Sequence, residues 1–228
     1  MRIGASGRQG LIKFRSISGS WGRGWRRLGH RALVLCALWF AALACALPGP
    51  RATAADTGLA GQVLVAAPRL SDTNFARTVI VLIEHDETGG WGLIVNRPAG
   101  EISLRELTEE LGAAAPAVDG TIPLHQGGPV EPQRGFILHT PDYSGEATLP
   151  IADVAAVSVD LGVIEALARG EGPRAARALF GYAGWGAGQL ENEIARGDWE
   201  VRRADLELLF GRDNATKWRR ALTGEDII

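Results

Sequence analysis

Glu84, His85 and Asp86 form the most polar cluster in the sequence. An imidazole between two carboxylates can act as an acid and a base, because its ordinary pKa of about 6.5 lets it exchange a proton near neutrality. The chemistry this implies is hydrolysis or lyase-type proton transfer, with His85 as the acid/base and Glu84 or Asp86 orienting it. The same triplet at a strand end can equally cap a hairpin by bonding backbone groups. His85, His125 and His139 are the three histidines beyond residue 54, and they show neither H-x-x-x-H nor H-E-x-x-H spacing, so the sequence indicates no metal site.

A second set of residues suits recognition rather than reaction. Arg97, in Asn96-Arg97-Pro98, carries a planar fork able to hold a carboxylate or phosphate bidentately. Gln126-Gly127-Gly128-Pro129 is a sharp turn that can present backbone N–H groups. Gly184-Trp185-Gly186-Ala187-Gly188-Gln189 reads as a Gly-rich turn into a helix, whose free N–H groups suit an anion. Gln189 stands where G-x-G-x-x-G requires its third glycine, so the dinucleotide fingerprint is not met and no cofactor is indicated. The ligand-binding candidates are therefore Asn96, Arg97, Gly127, Gly128, Gly184, Gly186, Gly188 and Gln189. Each also has a structural reading, as a turn glycine or as half of an ion pair.

Several chemistries are excluded by supply. Cys36 and Cys45 both lie in an apolar segment near the start, which leaves the rest of the chain without a thiol nucleophile, disulfide or cysteine-ligated metal. None of Ser71, Ser103, Ser144 and Ser158 sits in G-x-S-x-G. Lys217 is the sole lysine after the leader, and the run Lys217-Trp218-Arg219-Arg220-Ala221-Leu222 reads as a charged, exposed helix without Schiff-base or P-loop chemistry.

Charge divides the 228 residues into two parts. Residues 1–54 hold nine of the 24 Lys and Arg and no acid, so residues 55–228 carry 15 bases against all 26 acids, a net charge of −11. The first part reads as an export leader: a basic stretch to Arg31, an uncharged apolar run over 32–47, Pro48-Gly49-Pro50, then Ala52-Thr53-Ala54 as a cleavage site. A 16-residue helix reaches about 24 Å, short of a hydrocarbon core of about 30 Å. Release into the periplasm by cleavage near Ala54 is thus expected, with retention in the inner membrane through residues 32–47 as the alternative. Membrane contact is expected only through that segment. The acidic remainder disfavours nucleic acid, whose binding depends on phosphate neutralisation.

The elements that must position these residues follow from hydrophobic patterning in 55–228, which reads as one domain. Strands are expected over 62–67, 78–83, 91–96, 122–125, 135–139, 154–159, 175–182 and 199–201. The second and third form a hairpin that carries Glu84-His85-Asp86 at its tip. Ser103-Leu104-Arg105-Glu106 has the form of a capping box and opens a helix to about Leu111. A loop rich in Ala and Pro follows over 112–120. Further helices are expected over 163–168, capped by Asp160, over 189–195, and over 215–222, capped from Asp213 or Asn214. Trp185, Trp199 and Trp218 read as core anchors. Strands and helices mix without regular alternation, which argues for α+β rather than a doubly wound sheet.

Several runs together carry a resemblance. They are residues 64–70 (LVAAPRL) with Asp72 and Phe75, residues 84–98 (EHDETGGWGLIVNRP), Gly127-Gly128-Pro129-Val130, residues 135–139 (GFILH) and residues 181–191 (GYAGWGAGQLE). In this order, from about Gly61 to Leu222, the chain resembles the AlgH/YqgE family of bacterial proteins. The resemblance implies a single α+β domain with a bent, barrel-like mixed or antiparallel sheet flanked by helices. It also implies an unsettled role, named for an apparent regulatory part in alginate synthesis, with no catalytic residues to carry over. Members are usually short cytoplasmic chains beginning near the position of Gly61, so the resemblance points to the cytoplasm where the leader points to export. Trp91 stands where the family more often has a smaller apolar residue. The expected function is a non-enzymatic binding or regulatory domain for a protein partner or a small anionic ligand. Alternatives are a hydrolase or lyase using His85 with Glu84 or Asp86, and an assembly role as a homodimer.

Overall fold

The computed structural model describes residues 58–110 and 120–224. The leader and nearly all of the 112–120 loop lie outside the described residues. The described residues belong to one compact unit. No helix among them is long and apolar enough to cross a membrane.

The chain begins with β1 (Gln62–Ala66), β2 (Val79–Asp86) and β3 (Gly89–Ile94), followed by β4 (Pro98–Ser103), α1 (Leu104–Glu110), β5 (Thr121–Gln126) and β6 (Val130–His139). It continues with β7 (Thr148–Ile151), β8 (Ala155–Ser158), α2 (Gly162–Ala168), β9 (Ala176–Gly186), α3 (Gln189–Ala195), β10 (Trp199–Arg203), α4 (Leu206–Phe210) and α5 (Asn214–Thr223). The strands form one curled half-barrel sheet in the order β10-β1-β2-β3-β9-β6-β8-β7, with β5 joining β4 to β9. Every pairing is antiparallel except that of β5 with β9. The α+β class expected from the patterning and the bent sheet implied by the resemblance are both present.

Strand periodicity explains why β1 and β2 read as unbroken apolar runs. Alternate residues point to opposite faces. Val63, Val65, Val79, Val81 and Ile83 enter a core closed by Leu208, Leu209 and Ala221 of α4 and α5. Leu64, Ala66, Ile80 and Leu82 enter a second core with Leu190 of α3, Trp185 and Trp199. Both faces are covered, so neither tolerates a polar residue. A third cluster joins α1 and α2 to the sheet through Leu104, Leu107, Ile137, Val163 and Ile164.

β9 organises the middle. Its first half, Ala178 to Phe180, pairs with β5, and its second half, Ala183 to Gly186, pairs with β3. The change of partner falls at Gly181, whose φ of 71° lies in the left-handed region. The Gly127-Gly128 connection passes directly over this point. A Cβ on Gly128 would lie 2.1 Å from the carbonyl carbon of Tyr182, and one on Gly127 would lie 2.3 Å from the oxygen of Gly181.

The structure corrects several expectations. The Gly-rich segment is mostly strand: β9 runs through Gly186, because Gly89, Gly90 and Trp91 pair with Gly186, Trp185 and Gly184. Only Ala187 and Gly188 remain as the turn. Asp160 does not cap α2; its Oδ2 accepts from the backbone N–H of Ala147 at 3.0 Å, and the N-cap position of α2 is Leu161, with no side-chain cap. Asp213 does cap α5, accepting from the N–H of Thr216 at 3.2 Å. β4, β7 and α4 were not expected. β4 is an exposed Pro- and Gly-containing segment without alternation, and α4 has only five residues.

Gly128→Ala should lower stability by about 3 kcal/mol or abolish folding, since the obstacle is backbone and cannot move aside. Gly186→Ala, where a Cβ meets only the Gln189 amide oxygen at 4.0 Å, should be near neutral. Thermal melts of the two variants check this.

Candidate functional site

The Glu84-His85-Asp86 triplet sits at the β2–β3 tip, as expected, and its side chains go three ways. Trp91 Nε1 donates to Glu84 Oε2 at 2.9 Å. Asp86 closes the turn, accepting from the Thr88 hydroxyl at 2.6 Å and the Thr88 N–H at 2.7 Å. Those bonds, the hydroxyl first, hold its carboxyl below the usual range. The His85 ring is covered, and its Nδ1 accepts from the N–H of Leu59 at 3.3 Å. Its Nε2 lies 3.1 Å from Glu191 Oε1 of α3, at ion-pair distance but without hydrogen-bond alignment. The carboxylate facing His85 therefore comes from α3 rather than from a sequence neighbour.

The recognition candidates are tied into the fold. Asn96 accepts from the N–H of Val79 through Oδ1 and donates through Nδ2 to the carbonyl of Arg77, both at 2.9 Å. Arg97 donates to the carbonyl of Thr73 at 3.1 Å, and partial burial lowers its pKa. Gly127 donates its N–H to Phe180 and accepts from Ile94. Gly184 pairs with Trp91 within the sheet. Gly186 donates its N–H to Gln189 Oε1 at 3.1 Å, and Gln189 Nε2 donates to Glu193 Oε1 at 2.9 Å. Glu193 Oε2 in turn accepts from the indoles of Trp185 and Trp199, at 3.0 and 2.8 Å. Gly188, with φ of 69°, supplies the left-handed residue before α3. Trp199 is buried as expected, whereas Trp218 is half-buried and donates to the carbonyl of Ala66 at 2.7 Å.

Two features lie beyond what spacing revealed. The first is an open cleft of about 700 Å³ between the end of β10, α4, α5 and the β7–β8 turn, lined by Arg174, Arg202, Arg203 and Arg220 among others. Arg202 is anchored by Glu200 and by the carbonyl of Ala221, and Arg174 by Asp142 at 2.9 Å. Arg220 is 3.9 Å from Glu207. Asp205, also on the lining, is engaged as the N-cap of α4 through the N–H of Leu208. The Arg203 side chain makes no hydrogen bond or ion pair with any described residue.

The second feature overturns the reading of Lys217 as exposed: it is 1% accessible, packed on the inner side of α5 with Ala221. Its Nζ donates to the carbonyl of Gly211 at 3.1 Å and reaches that of Val95 at 3.5 Å. Arg177 of β9, 3% accessible, donates to the same two oxygens and to His125 Nε2 at 2.8 Å. Main-chain oxygens left over at the ends of β3 and α4 thus make burial of two cations tolerable. Desolvation first, and then the neighbouring Arg177, push Lys217 down to about 7 and His125 down to about 4. Burial takes Arg177 down to about 10. Arg177, a charge inside an apolar strand run, is the one signal of this cluster that the sequence carried.

The architecture is that of an α+β domain built on one curled, largely antiparallel sheet, and comparison with known proteins gives it a family. The chain belongs to the AlgH-like family, whose model matches residues 63–227. It is 44% identical to a UPF0301 protein of Afipia carboxidovorans over 77% of this chain and 88% of that protein. A UPF0301 protein of Methylococcus capsulatus is 47% identical over 74% of this chain and 91% of its own length. Among solved structures, the solution structure of the AlgH protein from Pseudomonas aeruginosa is similar, with a TM-score of 0.61 and 39% identity, covering 75% of this chain and 91% of that one.

The pH dependence follows from His125. Its folded-state value of about 4 lies below its usual 6.5, so between these pH values the unfolded chain holds the extra proton. Stability therefore rises with pH from about 4 to 6.5 and is lost as pH falls through that window. His125→Gln, whose amide oxygen can still accept from Arg177, should flatten this limb in denaturant titrations between pH 4 and 7.

Proposed function

We propose that the domain binds a small anionic ligand in the arginine-lined cleft and performs no reaction on it. The observation that supports this reading is a concentration of charge. In a region of net charge −11, four of the 15 bases line a single cleft, against three acids, Asp153, Asp205 and Glu207, of which Asp205 caps α4 and Glu207 faces Arg220. Guanidinium forks match carboxylate and phosphate oxygens geometrically. Arg203 has no partner among the described residues, so its guanidinium is the one offered to an incoming anion, while Arg202 and Arg174 are already held in place by their own contacts. A domain that holds such a ligand without transforming it suits a regulatory role.

The acid/base alternative through His85 has less support. Glu84 and Asp86 are both engaged away from the imidazole, which leaves Glu191 as its carboxylate.

Titration calorimetry with inorganic phosphate, phosphate monoesters and small dicarboxylates tests the proposal. At least one should bind, with affinity falling as salt rises. Arg203→Glu should weaken that binding tenfold or more, about 1.4 kcal/mol, without changing the melting temperature. Binding that is indifferent to Arg203→Glu, or catalytic turnover abolished by His85→Ala, would overturn it.

A further inference from the structure

The arginine-lined cleft has a floor as well as a basic rim. Ala204, Leu208 and Ala221 on its lining are buried members of the first core, and Val154 packs against that core from the β7–β8 turn. The cleft is therefore where the first core comes to the surface. Leu206, the first residue of α4, stands on the wall and is 46% exposed, although it is a large apolar side chain. At about 700 Å³ the space is of the size that holds an organic ligand, far more than an inorganic anion fills.

The charges limit what the head of such a ligand can be. Arg202 is held by Glu200, Arg174 is held by Asp142, and Arg220 faces Glu207. Arg203 is left as the one guanidinium of the lining without a partner among the described residues. Asp153, also on the lining, repels a second anionic group. A single fork matches a single carboxylate or phosphate, and not a polyphosphate. The described residues of the lining include no aromatic ring, so a nucleobase has nothing to stack on. The cleft thus offers aliphatic surface beneath one unmatched cation.

We propose that the cleft takes an amphiphilic anion, an aliphatic chain ending in one carboxylate or phosphate. The head lies on Arg203, and the chain runs along Leu206 and Val154 onto the floor formed by the first core. This inference rests on the anion-binding reading given above and adds the body of the ligand to it. The chain supplies most of the affinity. A solvent-screened ion pair contributes little by itself, whereas each methylene taken out of water strengthens binding by about two- to fourfold.

Titration calorimetry on the full chain tests this, with straight-chain carboxylates of increasing length and the matching alkyl phosphates, all below their micelle-forming concentrations. Affinity should rise by about two- to fourfold per methylene in at least one series, and the tighter series identifies the head. Leu206→Asn should flatten that rise and leave the affinity of the shortest member unchanged. Arg203→Glu should weaken every member by about tenfold or more. The apolar run over 32–47 can itself take up an alkyl chain, so these two variants assign the gain to the cleft. In the wild type, the methyl resonances of Leu206 and Val154 should shift with the longer chains and not with inorganic phosphate. If no anion binds at all, this inference and the reading beneath it both fall. If short anions bind and length makes no difference, or if the gain survives Leu206→Asn, or if those methyl resonances stay still, this inference alone is overturned.

Discussion

Where the β5–β6 connection crosses β9, two backbones approach more closely than any side chain allows. Gly127 and Gly128 lie on one, and Gly181 lies on the other. That contact lets β9 hold β5 with its first half and β3 with its second, so the sheet curls instead of running flat. The curl gives the sheet an inner face, and α4 and α5 pack into it through Leu208, Leu209 and Ala221. The cleft and the buried basic cluster are both built from those helices, so both rest on the same crossing.

Much of the polar chemistry that looks functional in the sequence is consumed in assembling this arrangement. Asn96 behaves as a piece of backbone, satisfying one N–H and one carbonyl that the sheet leaves open. Glu193, through both its oxygens, holds two indoles and the Gln189 side chain. Such residues are conspicuous because a partly buried polar group must be matched, and matching requires specific types at specific positions. A motif reader sees that specificity and has no means of telling an internal partner from an external one.

The hairpin of β2 and β3 was legible because its apolar run, its turn and its polar tip are contiguous. The class of fold was legible for the same reason, summed over several such segments. β4 was not, since Pro98-Ala99-Gly100-Glu101 has neither alternation nor β-branched content and is a strand only because β5 lies beside it. Lys217 was misread because the helix around it is rich in basic residues, and local composition says nothing about which face turns inward. The cleft was illegible in principle: Arg174, Arg202, Arg203 and Arg220 come from three segments that meet only after the sheet has curled.

The two indoles that share Glu193 stand edge to face, 6.0 Å between ring centres, one from β9 and one from β10. A single carboxylate therefore sets the electrostatic environment of both chromophores, at the place where α3 is fastened to the sheet. Their ultraviolet emission is a built-in optical gauge of that fastening, readable without any added dye. A loosening of α3 would change the surroundings of both rings, and with them their share of the emission of the chain's seven tryptophans.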